Sequence, residues 1–319
     1  MKKGGLKKLP LIYINIFNPR KNNLVDVCVI TYNQQNYIIN CLDSVLEQRL
    51  NEKYNIIVSD DSSTDGTSKL LTEHYSEFKN VYIHVNMENT GVSKNFLSCI
   101  YQSTAKYVSI CEGDDFWNDR FKLQKQVEIL EKNPDCSFCF TDVSTIENDK
   151  VTGVHPNLGK KILKFTSIDL ADQAGSIAQT CSLVIRRQYL ERLPDWVLKS
   201  YTLDWCLQLY LSKFGPAIYL PEVTATYRIH EKGIWSKLSP FEGWRKNLAF
   251  YKTALRQLPD KSSKKRLLKR IRNTINDALE LANIQADKAE IRGWLWQKFI
   301  TCPLVSVRQT LHSLRLLLA

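Results

Sequence analysis

The sequence predicts an α/β protein with a mostly parallel central sheet covered by helices. Three observations carry that reading. Short β-rich runs alternate strictly with helix-period segments from Val25 onward, the runs are apolar on both faces, and polar clusters fall just past their ends. Sheets of this kind gather ligands at the carboxyl ends of their strands.

The elements follow in order. VDVCVIT is a strand, NYIINCLDSVLEQ a helix and YNIIVSD a second strand. STDGTSKLLTEHYSEF is a helix entered through a cap-rich turn, VYIHV a third strand, GVSKNFLSCIYQS a helix and KYVSIC a fourth strand. The second half is less regular. DRFKLQKQVEILEK and LDWCLQLYLSKFG read as helices, the latter closed by Gly215, while CSFCFTDV, CSLVIRR and the run ending TATYRIH read as strands. Beyond Trp235 the composition changes to long basic helical segments. The expected domains are a basic arm over 1–24, an α/β domain over 25–235 and a basic helical tail over 236–319.

Charge divides along the same lines. The whole chain carries a formal +11, but residues 1–24 hold six basic residues and no acid, and residues 236–319 hold 17 Lys/Arg against six Asp/Glu. The middle is therefore acidic. That excludes a basic nucleic-acid groove in the core and favours ends that meet an anionic surface. The 44% apolar content is ample for a core. Nine cysteines, scattered through apolar runs, are the usage of a reducing compartment, and the lone C-x-x-C of Cys136 and Cys139 has no second pair to complete a zinc site. No apolar run approaches the roughly 18 residues of a spanning helix. LPLIYINIF is too short for a signal peptide, so a cytoplasmic location is expected, with the inner membrane face as a place of contact.

Three polar clusters sit where one shared site would be. Thr31, Tyr32 and Asn33 follow the first strand, Asp60 and Asp61 the second, and Glu112, Asp114 and Asp115 the fourth. Each has a plainer reading. DDSSTDG serves equally as a turn and helix cap, and EGDDFW as a solvated turn, although Phe116 and Trp117 beside it argue against full exposure. Oxygen ligands of this kind suit a hard cation, Mg²⁺ or Mn²⁺, which binds a few carboxylates and completes its shell with substrate phosphate. The sequence has neither a G-x-x-x-x-G-K-[ST] loop nor G-x-G-x-x-G, so phosphates are not held as in a P-loop or dinucleotide fold.

Four motifs, VCVITYNQQNYIINCLDSVLEQ, IIVSDDSSTDGTSKLL, NTGVSKN and YVSICEGDDFW, resemble in order and spacing the signatures of family 2 glycosyltransferases with the GT-A fold, over about Val25 to Trp235. The resemblance implies an inverting transferase that uses a nucleotide sugar, UDP-linked in the reading adopted here, and a glycan or lipid-linked acceptor of bacterial surface polysaccharide or lipopolysaccharide synthesis. It places Thr31, Tyr32, Asn33, Asp60 and Asp61 at the nucleotide, with Tyr32 and Asp61 on the base. Asp114 goes to ribose and metal, Asp115 to the metal, and Glu112 to the first position of the same motif. Lys94 stands where the family commonly has Arg, keeping the charge without the bidentate fork. Asp204, at the start of its helix, takes the general-base position, which a helix-capping role would also explain. In YRIH, Arg228 and His230 fall on one side of a strand, with His230 reaching the metal or diphosphate. The rival readings are a nucleotide-binding protein of the same fold without catalysis, and a nucleotidyltransferase.

In the tail, Leu304, Val307, Leu311, Leu314 and Leu318 recur at intervals of three and four, with Arg308, His312 and Arg315 off that stripe. Together with Trp294 and Trp296 this suggests a helix lying on an anionic leaflet.

Overall fold

The computed structural model describes residues 11–13, 23–173, 177–234, 236–258 and 260–301. The basic side chains of the N-terminal arm and the Leu304–Leu318 stripe lie outside these residues. In chain order the elements are β1 (Leu11–Tyr13), β2 (Val25–Thr31), α1 (Ile38–Leu46), β3 (Tyr54–Asp60), α2 (Thr67–Tyr75), β4 (Val81–Asn86), α3 (Val92–Gln102) and β5 (Tyr107–Glu112). Then come β6 (Phe116–Trp117), α4 (Lys122–Lys132), β7 (Phe138–Glu147), β8 (Lys150–His155), β9 (Leu163–Phe165), α5 (Ser167–Asp172), β10 (Val184–Arg186) and α6 (Asp195–Leu198). The rest are α7 (Leu203–Leu211), β11 (Ala217–Ile229), α8 (Pro240–Gln257), α9 (Lys261–Ile284) and α10 (Lys288–Thr301).

The chain forms two compact units. The first contains the sheet, in the order β1-β4-β3-β2-β5-β10-β7-β11-β6, with β8 on β7 and β9 on β11. Strands β4, β3, β2 and β5 are parallel neighbours, as the β-α-β alternation predicts. Beyond β5 the sheet becomes mixed, because β10 runs antiparallel to both β5 and β7, while β7 and β11 are parallel. Register sets the ends that matter: Thr31 lies opposite Asp60, and Ile30 opposite Glu112.

All seven residues of β2 are buried, which explains its mostly apolar reading; its one acid, Asp26, accepts from Asn55 Nδ2, Ser103 Oγ and the Thr104 and Ala105 N–H groups. Helix α1 buries Ile38, Cys41, Leu42 and Val45, one face at helical spacing. Each such apolar side chain contributes ~1.5–3 kcal/mol when fully buried. The eight cysteines among the described residues are all free and buried, Cys136 and Cys139 included.

The second unit groups α5, Ser200–Leu209 and the described residues from Glu231 to Thr301. Composition alone assigns the first two segments to the α/β domain. Helix α5 joins the helices instead because α9 packs on it, with Arg270 Nε donating to the Asp172 carbonyl and Arg266 paired with the Asp172 carboxylate at 3.6 Å, and Ser200–Leu209 joins them with the Trp205 ring 5.8 Å from that of Phe250 on α8. Helix α8 opens with a capping box between Ser239 and Glu242 and Pro240 in its first turn. Helix α9 is capped by Asp260 Oδ1, which accepts from the Ser263 N–H at 2.6 Å, and buries Leu267, Ile271, Ile275, Ala278 and Ala282.

Candidate active site

The site is built where β3, β2 and β5 end side by side. The loop after β2 is laced to the loop after β3. Asn33, at φ 55°, donates its N–H to Ser63 Oγ at 2.8 Å, and its Oδ1 accepts from the Thr64 N–H at 2.8 Å. Gln34 N–H reaches Thr67 Oγ1 at 2.9 Å. Tyr32, between them and the strand, is 44% exposed.

The acids after β3 are both buried and both engaged. Asp60 accepts from Ser63 and Ser68, and desolvation raises its pKa. Asp61 Oδ1 accepts from Asn86 Nδ2 at 2.7 Å and from the Thr90 N–H at 2.9 Å and Oγ1 at 2.8 Å, while Oδ2 accepts from the Gly91 N–H at 2.7 Å. Gly91 has φ 85°, a conformation open to glycine at little cost, so this residue lets the chain present its N–H to the carboxylate. Three residues on, Lys94 is exposed on α3, and Asn95 is buried, donating from Nδ2 to the Ser59 carbonyl at 3.0 Å.

The turn after β5 is arranged differently. Gly113 packs so closely on β2 that a Cβ there would lie 2.5 Å from Gln34 Oε1, 2.8 Å from Thr31 Oγ1 and 2.9 Å from Thr31 Cβ. Only glycine fits. Asp115 is buried, with its Oδ1 accepting the Arg228 backbone N–H at 2.9 Å, and burial followed by the nearby Asp114 and Glu112 charges pushes its pKa well up. Glu112 is half-buried at the end of β5. Asp114 faces His230, with Oδ2 and Nε2 3.1 Å apart.

Arg228 and His230 do converge, both on Asp114. Arg228 Nε donates to the Asp114 carbonyl at 3.0 Å, and its guanidinium lies 4.9 Å from the Tyr37 ring centroid and 5.3 Å from that of Phe116. The Tyr37 ring also packs on His230, centroids 4.9 Å apart. Tyr37 and Gln34 are the residues that sequence reasoning missed. The signal available for Tyr37 was an aromatic just before a helix, which reads as ordinary packing.

Three polar atoms here are buried without a hydrogen-bond partner among the described residues: Thr31 Oγ1, Gln34 Oε1 and His230 Nδ1. Such atoms cost free energy unless something meets them, so they mark a place built for a polar ligand. No cluster of three or more His, Cys, Asp or Glu residues with ligand geometry occurs among the described residues. A carboxylate and imidazole pair does occur, Asp114 with His230.

Asp204 belongs to the second unit, in the first turn of α7. It is half-buried, and desolvation pushes its carboxyl up to about 6. None of the described helices is long and apolar enough to cross a membrane.

Comparison with known proteins agrees with this architecture. Residues 26–193 match the model of glycosyl transferase family 2. An uncharacterized protein of Mycobacterium tuberculosis is 34% identical over 214 residues, which is 66% of this chain and 60% of that protein, so the match spans about three-fifths of the relative's length. A Bacillus subtilis protein, TuaG, whose name assigns it as a glycosyltransferase of teichuronic acid biosynthesis, is 31% identical over 40% of this chain and 49% of its own. Among solved structures, S. aureus TarS in complex with UDP-GlcNAc superposes with a TM-score of 0.65 at 16% identity, covering 87% of this chain and 80% of that one. The mannosyltransferase PcManGT from Pyrobaculum calidifontis, in complex with GDP-Man and Mn²⁺, gives 0.58 at 19% identity over 92% and 81%. At these identities the two structures establish the fold, that of GT-A glycosyltransferases.

Proposed function

Because the chain belongs to glycosyl transferase family 2, we propose that it moves one sugar from a nucleoside diphosphate donor, read as a UDP-sugar, to a hydroxyl of a glycan or lipid-linked acceptor. The setting is bacterial surface polysaccharide or lipopolysaccharide assembly, at an anionic membrane face met by the basic C-terminal helices. The observation that carries the reading is the Asp114–His230 pair at 3.1 Å, closing a strand end that also holds the unpartnered Thr31 Oγ1 and Gln34 Oε1. The names of TuaG and TarS's UDP-GlcNAc ligand support the setting and the donor class.

The residues present suit a hard divalent cation of the Mg²⁺ or Mn²⁺ type. Such ions take one or two protein ligands and fill the remaining positions with water and substrate phosphate, so Asp114 and His230 suffice, and His230 Nδ1 is left for a further polar contact. When bound, the ion would offset the charge of the departing diphosphate. Asp115 then acts as a positioning residue, holding the end of β11 through the Arg228 N–H. Arg228 orients Asp114 through its carbonyl and adds positive charge to the leaving-group side. Asp61 fixes the Thr90–Gly91 turn that leads to Lys94, and Tyr32, exposed at the strand end, is free to stack on the base.

Asp204 is the general base. With its carboxyl near 6 it is ionised at neutral pH yet basic enough to take the acceptor hydroxyl proton. The acceptor oxygen bonds the anomeric carbon from the face opposite the diphosphate, the bond from that carbon to the phosphate oxygen breaks, and the configuration inverts.

The test is a panel of UDP- and GDP-sugars with Mn²⁺, Mg²⁺ or EDTA, following nucleoside diphosphate release. Slow metal-dependent release from one donor is the expected result. Free phosphate or pyrophosphate as product, or silence across the panel together with no metal-dependent nucleotide binding, would overturn the reading.

A further inference from the structure

Helix α10 carries two tryptophans in opposite situations. Trp294 is buried, its Nε1 donating to Glu290 Oε2 at 3.0 Å. Trp296 is 61% exposed and stacks on Phe299, centroids 5.7 Å apart, which is itself 42% exposed, as Ile300 is 48%. Two residues along a helix is a turn of about 200°, so one indole faces the unit's core and the other faces out. Lys288, Arg292, Trp296 and Phe299 follow at intervals of four, four and three, with Ile300 four beyond Trp296, and all five are exposed. They form one face, basic at its start and aromatic at its end.

Three adjacent large apolar side chains on an unpartnered helical face mark an interaction surface. Charge decides among the occupants. Helices α8, α9 and α10 carry fourteen Lys/Arg against four Asp/Glu. On α9, Lys261, Lys265, Lys269 and Arg272 recur at helical spacing, are exposed, and take part in no ion pair among the described residues. A second copy of this unit would bring like charges together. Residues 302–319 carry two arginines and no acid, so they are no better matched to the face. An anionic lipid surface satisfies both halves of it: indole and phenyl rings belong at the boundary between headgroups and acyl chains, and lysines and arginines meet the lipid phosphates.

We propose that the Lys288–Ile300 face of α10 docks on anionic phospholipid, with Trp296, Phe299 and Ile300 entering the interface and the exposed bases of α9 and α10 holding it there. This deepens the membrane contact proposed above and rests on it. Trp294, the other tryptophan that the sequence offers for such a role, stays inside the unit.

The experiment is flotation of the full chain with vesicles of phosphatidylcholine and phosphatidylglycerol at 7:3, against phosphatidylcholine alone, comparing the native sequence with the Trp296→Ser/Phe299→Ser/Ile300→Ser variant. The native chain is expected to float with the mixed vesicles, to lose most of that binding at high salt or without the anionic lipid, and to lose at least tenfold in partition on triple substitution. Tryptophan emission gives a second readout: brominated lipid should quench the native chain more than Trp296→Phe. Any of three results would overturn the proposal: no flotation of the native chain, flotation of the triple variant equal to native, or a triple variant whose only change is loss of a dimer in light scattering. Donor hydrolysis in vesicle-free buffer separates the two layers. Its persistence alongside vesicle indifference sinks the docking face alone, and its absence in both chains sinks the transferase reading.

Discussion

Two acidic pairs end β3 and β5, the strands on either side of β2 in the same sheet, and use their carboxylates in different ways. Asp60 and Asp61, after β3, are saturated by protein donors: serine side chains for the first, and one asparagine, one threonine and two backbone N–H groups for the second. Asp115, after β5, is likewise buried and tied to a backbone N–H. Asp114 faces an imidazole instead. Desolvation is the main cause that raises Asp60 and Asp115; the serine donors oppose it at Asp60, and the Asp114 and Glu112 charges add to it at Asp115. On the function proposed here, the acids engaged by protein donors serve as scaffold, and Asp114, which faces an imidazole, is the one assigned to the chemistry.

The largest effect should come from that member. Asp114→Asn is expected to lower nucleoside diphosphate release by ~10²–10⁴-fold, the scale of a lost charge-stabilising contact, and to abolish the metal dependence of nucleotide binding in calorimetry, with little change in thermal stability. Near-native metal-dependent binding by this variant would break the division between the two pairs. Asp204→Asn should also cost ~10²–10⁴-fold in rate while sparing nucleotide binding, because the role proposed for it is the proton transfer alone. The native pH profile supplies the sign. A carboxyl raised to about 6 accepts a proton only once ionised, so the rate should fall roughly tenfold per unit below that pH and level off above it. The same raised pKa works against folding in the ionised form: it leaves stability intact below the ordinary Asp range and reduces it as pH rises through about 6. Asp204→Asn should thus be more stable than the native chain at neutral pH, by ~1 kcal/mol once its partial exposure is allowed for. A flat rate profile between pH 5 and 8 would remove Asp204 from the proton transfer.

Next in size is the scaffold. Asp61→Asn keeps one accepting oxygen and puts an NH₂, which cannot accept, either where Oδ1 takes the Thr90 N–H or where Oδ2 takes the Gly91 N–H, and should cost ~2–3 kcal/mol of stability in a denaturant titration. Its signature is the reverse of Asp114→Asn: a lowered unfolding midpoint, with residual activity that still responds to metal. Equal stability of the two asparagine variants would mean that the pairs do not differ as argued.

These divisions were only partly legible in the sequence. The β2-to-β5 core was, because strands buried on both faces announce themselves as mostly apolar runs such as VDVCVIT, and the motif positions indicated which strand ends would meet. The roles within each acidic pair were not, since they depend on donors far along the chain, as with Asp61 and Gly91 or Asp115 and Arg228. The membership of Ser200–Leu209 in the helical unit was hidden for the same reason, as it follows from packing rather than composition. The opposite faces of Trp294 and Trp296 needed only the helical period, whereas which of them is buried needed the neighbours of α10.

The smallest expected effect tests what holds the Asp114–His230 pair in place. Tyr37 touches both His230 and the Arg228 guanidinium through its ring, so the ring face rather than the hydroxyl should matter. A cation over an aromatic ring contributes ~0.5–1 kcal/mol at a partly exposed site, which sets the scale. Tyr37→Phe, which keeps the ring, should match the native chain in metal affinity and turnover. Tyr37→Leu should loosen both neighbours and weaken metal-dependent nucleotide binding by ~2–5-fold, the factor that such an energy implies, with a smaller change in turnover. A purely structural tyrosine would instead lower the unfolding temperature of both variants alike without separating binding from turnover. Rescue by phenylalanine therefore decides whether the turn after β5 is held by its own backbone or by the aromatic ring that precedes α1.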